Sequence, residues 1–501
     1  MYPTFGGNIQ LFNGADVGQI RTMQDMQQFA KAVQTAGNAD VLDFKGDLTG
    51  VPAIRFESLE ATLRAVTERE ELFTLWNRLS RRPVNSSITE FSTRNDIGGD
   101  FAETFHGETS EIRAGRTEYE RDIVKIKYMM QRAEVSMVAT LQNTIEDVKA
   151  AENTSATMRI LRAIEWALYS GDESVVPQQF DGVRAQLVKK GLESTNIINL
   201  NGTSDTAEMY DSVRKVMADV MTPRGGYGRI SDMYLTTTVQ TDLDSYLDPA
   251  YRVNLDNTGS ASTTYGSPVT GIRTSYGTVP LTTSLWIPEG NLQHISSPIA
   301  ARQRGQASVG APEAPTLAAV GAADATGTNT FNAARAGTYH YGVAALNERG
   351  EGVLSTITAA TVADDGKVTL TITPPGNPNM TGFAIYRSVQ DPAGTPTAAD
   401  LRLLKRIPAP DLNSPADVVT FEDFNLNIPG ASSPHLFDLS AESMNFEQLL
   451  PMQQFPLYPT STATMPWAVL LFGALRLGYP KRAFILDNYI PKSSDWQPHT
   501  V

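Results

Sequence analysis

Apolar residues recur along this chain with two different periods. Over residues 141–169, Leu141, Ile145, Val148, Met158, Leu161, Ile164 and Leu168 advance by threes and fours, the stripe of a long amphipathic helix. Gly171 is its expected stop, and the poor helix formers Asn153-Thr-Ser155 predict a bend or a break in its middle. Just before it, Val124, Ile126 and Tyr128 alternate with Lys125 and Lys127, which predicts a strand over 123–130. Shorter helices are expected over Asp25–Val33 and Glu57–Leu79. In the second half the period falls to two. Tyr339, Tyr341, Val343 and Ala345 share one face of an extended segment, and Asn347-Glu-Arg-Gly-Glu-Gly352 supplies the reversal after it. Val368, Leu370 and Ile372, then Phe383 and Ile385, then Val419 and Phe421 continue the series as short, turn-bounded strands.

Between these patterned stretches lie others without pattern. Residues 93–122 are charged at twelve of thirty positions and have few apolar anchors, an excursion unusual in a compact domain unless it lies on a partner. APEAP at 311–315 and IPGASSP at 428–434 bracket the two-period region and predict hinges at the entry and exit of an insertion. At 501 residues the chain exceeds what one core usually fills, so several domains are expected.

Composition removes several functions. Without cysteine there is no thiol catalysis, disulfide framework or Cys-based metal site, and the chain suits a reducing cytosol. The start MYPTFGGNIQLFNG does not read as a signal peptide, and the apolar run from Trp467 to Leu475 is about half the length a bilayer needs, so a soluble chain without membrane association is expected. A formal charge of −14 argues against wrapping nucleic acid by phosphate neutralisation, while permitting a protein that encloses DNA without gripping it. The histidines at 106, 294, 340, 435 and 499 have no metal or triad spacing and read as surface or loop residues. Arg224-Gly-Gly-Tyr-Gly-Arg229 lacks the lysine and hydroxyl of a phosphate-binding loop and reads as a flexible connection. Asp364-Asp365 and Asp172-Glu173 read as solvated turn acids. No cofactor and no enzymatic activity are expected.

Two resemblances organise these parts. The pattern from Tyr339 to Ser355, with Ile385-Tyr-Arg-Ser388, resembles fibronectin type III and related bacterial immunoglobulin-like modules. The succession of N-terminal helices, polar extended loop, returning strand, long helix ending Trp166-Ala-Leu-Tyr-Ser-Gly171, Phe180-Asp-Gly182 and a mixed region resembles the major capsid proteins of tailed bacteriophages. Met233–Leu243, Gly277-Thr-Val-Pro280-Leu, Trp286-Ile-Pro288, Trp467–Leu475 and Tyr479–Asn488 extend that likeness to nearly everything outside the insertion.

The second resemblance implies an α+β chain of the Hong Kong 97 type, with an all-β immunoglobulin-like sandwich inserted. Its parts would be the N-terminal arm and helices (1–84), E-loop and returning strand (85–130), P domain with spine helix (131–190), A domain (191–307), insertion (308–433) and a closing segment (434–501). It implies self-assembly into the hexamers and pentamers of an icosahedral virion head, built in the host bacterial cytoplasm. The head encloses double-stranded DNA, and portal, scaffold or decoration proteins would be further partners. Leu161, Ile164 and Leu168 would form the spine-helix core. Glu108, Glu111, Arg113, Arg116, Glu118, Glu120 and Arg121 would make ion pairs between subunits, and since no lysine occurs between Lys45 and Lys125, the loop would tie its neighbours without covalent cross-links. An adhesive or receptor-binding tail or surface protein would explain the insertion alone, and an encapsulin-type compartment would share the host fold.

Overall fold

The computed structural model describes residues 70–499, apart from 97, 99–103, 112–114, 142–146, 252–267, 288–309, 325–330, 377–379, 410–417 and 459–462. The helix expected over Asp25–Val33, most of that over Glu57–Leu79, and the residues Arg113 and Ile145 lie outside the described set. Glu70–Leu72 form a single 3-10 turn, and the chain breaks at Phe73 before a short helix α1, Thr74–Arg78.

Strand β1 (Ser80–Pro83) leads to β2 (Ile88–Asp96) and β3 (Glu118–Lys125), which pair with each other antiparallel. The strand expected over 123–130 is really two. At Ile126, which is buried and donates its N–H to the Ser87 carbonyl, the chain passes from β3 into β4 (Lys127–Ser136). A short helix α2 (Met137–Leu141) precedes the long helix α3 (Val148–Ser170). The break therefore falls before Asp147, whose carboxylate caps Lys149 and Ala150, and Leu141 is 80% exposed rather than part of the stripe. The helix runs unbroken through 153–155, where Thr154 and Ser155 return their hydroxyls to the carbonyls of Ala150 and Ala151. The helix ends where expected, but Gly171 has an ordinary φ of −63°. Glycine is required there for space: a Cβ would stand 2.5 Å from the Phe180 carbonyl oxygen.

Helices α4 (Val183–Lys189) and α5 (Glu193–Asn196), strand β5 (Ile197–Asn199), helix α6 (Thr206–Val220), strand β6 (Asp232–Leu235), helix α7 (Thr237–Tyr251) and strands β7 (Gly271–Thr274) and β8 (Gly277–Thr283) come next. Strands β9 (Thr316–Ala323), β10 (Gly337–Asn347), β11 (Gly350–Leu354), β12 (Thr358–Val362), β13 (Gly366–Thr373), β14 (Gly382–Arg387), β15 (Arg402–Pro408) and β16 (Val419–Asp423) make up the two-period region. The chain closes with β17 (His435–Phe437), β18 (Met444–Pro456), β19 (Thr464–Leu477) and β20 (Phe484–Asp487). The whole is mixed α+β.

Three packed bodies result. In the first, the sheet β1-β18-β19-β4 lies against α3, with Ile160, Leu161, Ile164 and Leu168 meeting Phe446, Trp467, Val469 and Leu471. The second is the sheet β5-β20-β17-β6-β8-β7, on which Val213, Val216 and Met217 of α6 and Val239 and Leu243 of α7 pack. The third is a pair of sheets, β16-β13-β9 and β11-β10-β14-β15 with β12 beside β10. Their inward rows, Tyr339, Tyr341 and Val343 against Val368, Leu370 and Ile372, close a separate core. Inside it Arg387 is fully buried, paired with Asp423 at 2.6 Å and flanked by the rings of Phe331 and Tyr339.

The bracketing segments are not hinges. Ile428 and Ala431 are buried, the Ile428 N–H reaches the Asn488 side chain at 2.8 Å, and Ser432 bridges to Tyr489. At the entry, Pro312 is buried and Asn347 donates to the Gly310 carbonyl at 2.9 Å. The outer row of the larger sheet is apolar too: Ala344, Leu346, Ala384 and Tyr386 cover Val175 and Val176. Hydrophobic burial at that seam fixes this pair of sheets against the segment after α3.

Candidate functional site

The ribbon β2-β3 leaves most of both its faces to solvent and ends in the charged excursion. Among the residues expected to act there, Glu108, Glu111, Arg116 and Glu118 are exposed. Two others meet partners in their own chain: Arg121 pairs with Glu90, and Glu120 lies 3.0 Å from Lys190 Nζ, which also pairs with Asp122. A second clamp holds the base, where Lys125 and Lys127 approach Glu173 at 3.1 and 2.9 Å. The ribbon is thus anchored at its root, and beyond it Phe105 is exposed. Ile88, Tyr119 and Ile123 leave apolar surface uncovered along it.

On α3, Leu161, Ile164 and Leu168 lie in the core as the stripe requires. A residue the periodicity does not single out is Glu165, which has no exposed surface and accepts from Leu75 N–H at 2.9 Å and Trp76 N–H at 2.8 Å. It caps the first turn of α1, whose own cap residue Phe73 offers no side-chain acceptor. Burial pushes its carboxyl up to about 7, against the pull of those two N–H groups.

The histidines divide. His106 is exposed and His340 half-buried, while His435 is enclosed in β17 between Tyr169 and Phe437, and burial holds it down at about 4. His435 is therefore a neutral core residue and not a surface one. His294 lies outside the described residues. Asp172 caps Ser174 in a turn, and Asp365 occupies a left-handed turn position, as solvated turn acids do. Among the described residues no group of three His, Asp or Glu side chains could hold a metal ion.

No protein-family profile matches the chain. It is 25% identical over 490 residues to the major capsid protein of Staphylococcus phage S25-3, covering 95% of this chain and 98% of the relative. The major capsid protein of Staphylococcus phage K matches with the same identity and coverage. Among solved structures, one of Mycobacterium phage Adephagia superposes with a TM-score of 0.42 at 7% identity, covering 87% of this chain and 95% of that one. The SrpI encapsulin of Synechococcus elongatus gives 0.39 at 9%, covering 88% and 95%. Both scores lie below 0.5, where superposition alone does not establish a common fold.

Proposed function

We propose that this chain is the major capsid protein of a tailed phage, a structural protein that assembles in many copies into the shell of a virion head. The observation that carries this is the similarity to the staphylococcal phage capsid proteins, which runs almost end to end through both chains. In this reading the fold is of the Hong Kong 97 type. The ribbon β2-β3 and its charged tip (within 85–130) form the E-loop, α3 is the spine helix of the P domain (131–190), and the six-stranded sheet belongs to the A domain (191–307), completed by 434–501. Residues 1–84 form the arm, and 308–433 form an inserted immunoglobulin-like sandwich.

Shell closure asks each subunit to meet several neighbours through individually modest contacts. An anchored ribbon with exposed Glu108, Glu111, Arg116 and Glu118 and uncovered Tyr119 and Ile123 supplies one such contact. Hexamers and pentamers of an icosahedral head, double-stranded DNA inside it, portal, scaffold and decoration proteins as partners and assembly in the host cytoplasm complete the proposal. Electron microscopy of the purified chain tests it: closed shells or capsomer sheets are expected, and monomers or fibres overturn it. Because no lysine stands between Lys45 and Lys125, particles boiled in denaturant should run as one monomer-sized band, and a covalent ladder would refute non-covalent linkage.

A further inference from the structure

One end of the six-stranded sheet gathers several cations of this acidic chain. Strands β6 and β8 are parallel, and β6 and β20 both run antiparallel to β17 between them, so all three begin at this end. The turn before β6, the 3-10 turn Pro480–Arg482 before β20 and the β7-β8 turn therefore meet. Arg482 lies across Gly228, where a Cβ would stand 2.5 Å from its Cδ, and donates to the Gly226 carbonyl at 3.2 Å. Arg229 lies across Gly277 in the same way, 2.7 Å from the place of a Cβ.

Three cations here are held by acids: Arg78 by Asp232, Arg224 by Asp219 and Arg482 by Asp438. Arg229 and Lys481 are exposed and have no acidic partner among the described residues. The loop that sequence alone presents as a flexible connection is ordered. Gly226 and Tyr227 are both left-handed, with φ of 64° and 54°, and the N–H groups of Tyr227 and Gly228 are bonded to the carbonyls of Thr222 and Val220. A tyrosine adopts that backbone less readily than glycine or asparagine, yet here it holds a ring that is 74% exposed, with Tyr276 exposed in the adjoining turn.

We infer that this end of the sheet docks the phosphate backbone of the enclosed DNA, Arg229 and Lys481 pairing with phosphates and the Tyr227 hydroxyl donating to them. The presence of DNA rests on the capsid reading. Such contact is sequence-independent, because nothing here reaches a base edge in a defined geometry. With −14 overall, the rest of the chain repels a duplex, so attraction is confined to a local patch.

The test uses the full chain before shell assembly and a short fluorescein-labelled duplex of arbitrary sequence, with anisotropy followed over a range of salt. R229E/K481E should weaken binding by about tenfold or more and lower the slope of log affinity against log salt by about 2, since each lost phosphate contact removes about 0.9. R349E/K405E, the same charge change on exposed residues of the sandwich, should leave the slope unaltered. Equal losses in both variants, or none, overturn the inference. It is also overturned if R229E/K481E keeps its DNA affinity but no longer forms shells, because the patch then meets a neighbouring copy. A wild-type chain that binds DNA through these residues but never forms shells would refute the capsid reading and leave the docking chemistry standing.

Discussion

Glu165 occupies the last turns of α3, where side chains on every side are covered and a carboxylate has no water to lean on. Its partners, the N–H groups of Leu75 and Trp76, stand ninety and eighty-nine residues away in sequence, so no local pattern announces the contact. Periodicity finds Leu161, Ile164 and Leu168 because apolar spacing is local, and it misses an acid whose burial is decided by another element. Burial raises the folded carboxyl from 4.5 to about 7, with Tyr169 and Tyr234 also nearby. The folded state holds this proton more tightly than the unfolded chain. Its contribution therefore favours folding fully below pH 4.5 and is lost as the pH climbs through 7, a change on the order of 3 kcal/mol. Glu165→Gln should abolish that pH dependence, at a cost of about 1 kcal/mol at pH 5 for the acceptor it loses. Denaturant midpoints for both proteins between pH 5 and 8 should cross as pH rises, the Gln variant being the more stable at pH 8, and parallel curves would show that the carboxyl does not titrate in the fold.

At the scale of elements, alternation reveals β10, β13, β14 and β16, because each buries one row against the facing sheet. It does not reveal β18, whose first four residues, Met444-Asn-Phe-Glu447, are buried and whose last four are exposed. Nor does it reveal that residues from 197 to 487 share one sheet. The largest departure from the sequence reading is the seam of the sandwich, which is sealed by a strap from the chain's far end. Trp496 packs under Arg402 at 4.3 Å and donates its indole N–H to the Pro429 carbonyl at 3.0 Å, and the Gln390 N–H reaches the Pro498 carbonyl at 3.0 Å. Gly430, left-handed at φ 79°, makes room for the indole, since a Cβ there would stand 2.2 Å from its Cδ1. Ending the chain after Asp495 removes an aromatic anchor worth about 2–3 kcal/mol. Hydrogen exchange should then quicken around β14, β15 and residues 428–434, with the six-stranded sheet as protected as before. Unchanged exchange at the seam would mean that Val175 and Val176 hold the sandwich by themselves.

For the whole molecule, the seam decides what the sandwich does in a particle. It sits on the host in one orientation rather than swinging on stalks, so in a shell every copy presents the same surface at the same height. Residues 308–433 carry twelve Asp and Glu against seven Lys and Arg, a net charge of −5. Packed DNA repels such a domain, and some 125 residues per subunit would take lumen volume from the genome. If the chain is a capsid protein, both arguments put it on the outside, and the inferred DNA contact would turn the cationic end around Arg229 and Lys481 inward. The outward row of the smaller sheet, Thr369, Thr371 and Thr420 closed by a Lys367–Glu422 pair at 2.7 Å, then faces solvent, where a decoration protein or host surface could meet it. Antibodies raised against residues 308–433 should label intact, DNA-filled particles to the same extent as particles opened by denaturant. Labelling that appears only after the shells are broken would place the sandwich inside, and the acidic charge of residues 308–433 would then have to be balanced by counterions in the lumen.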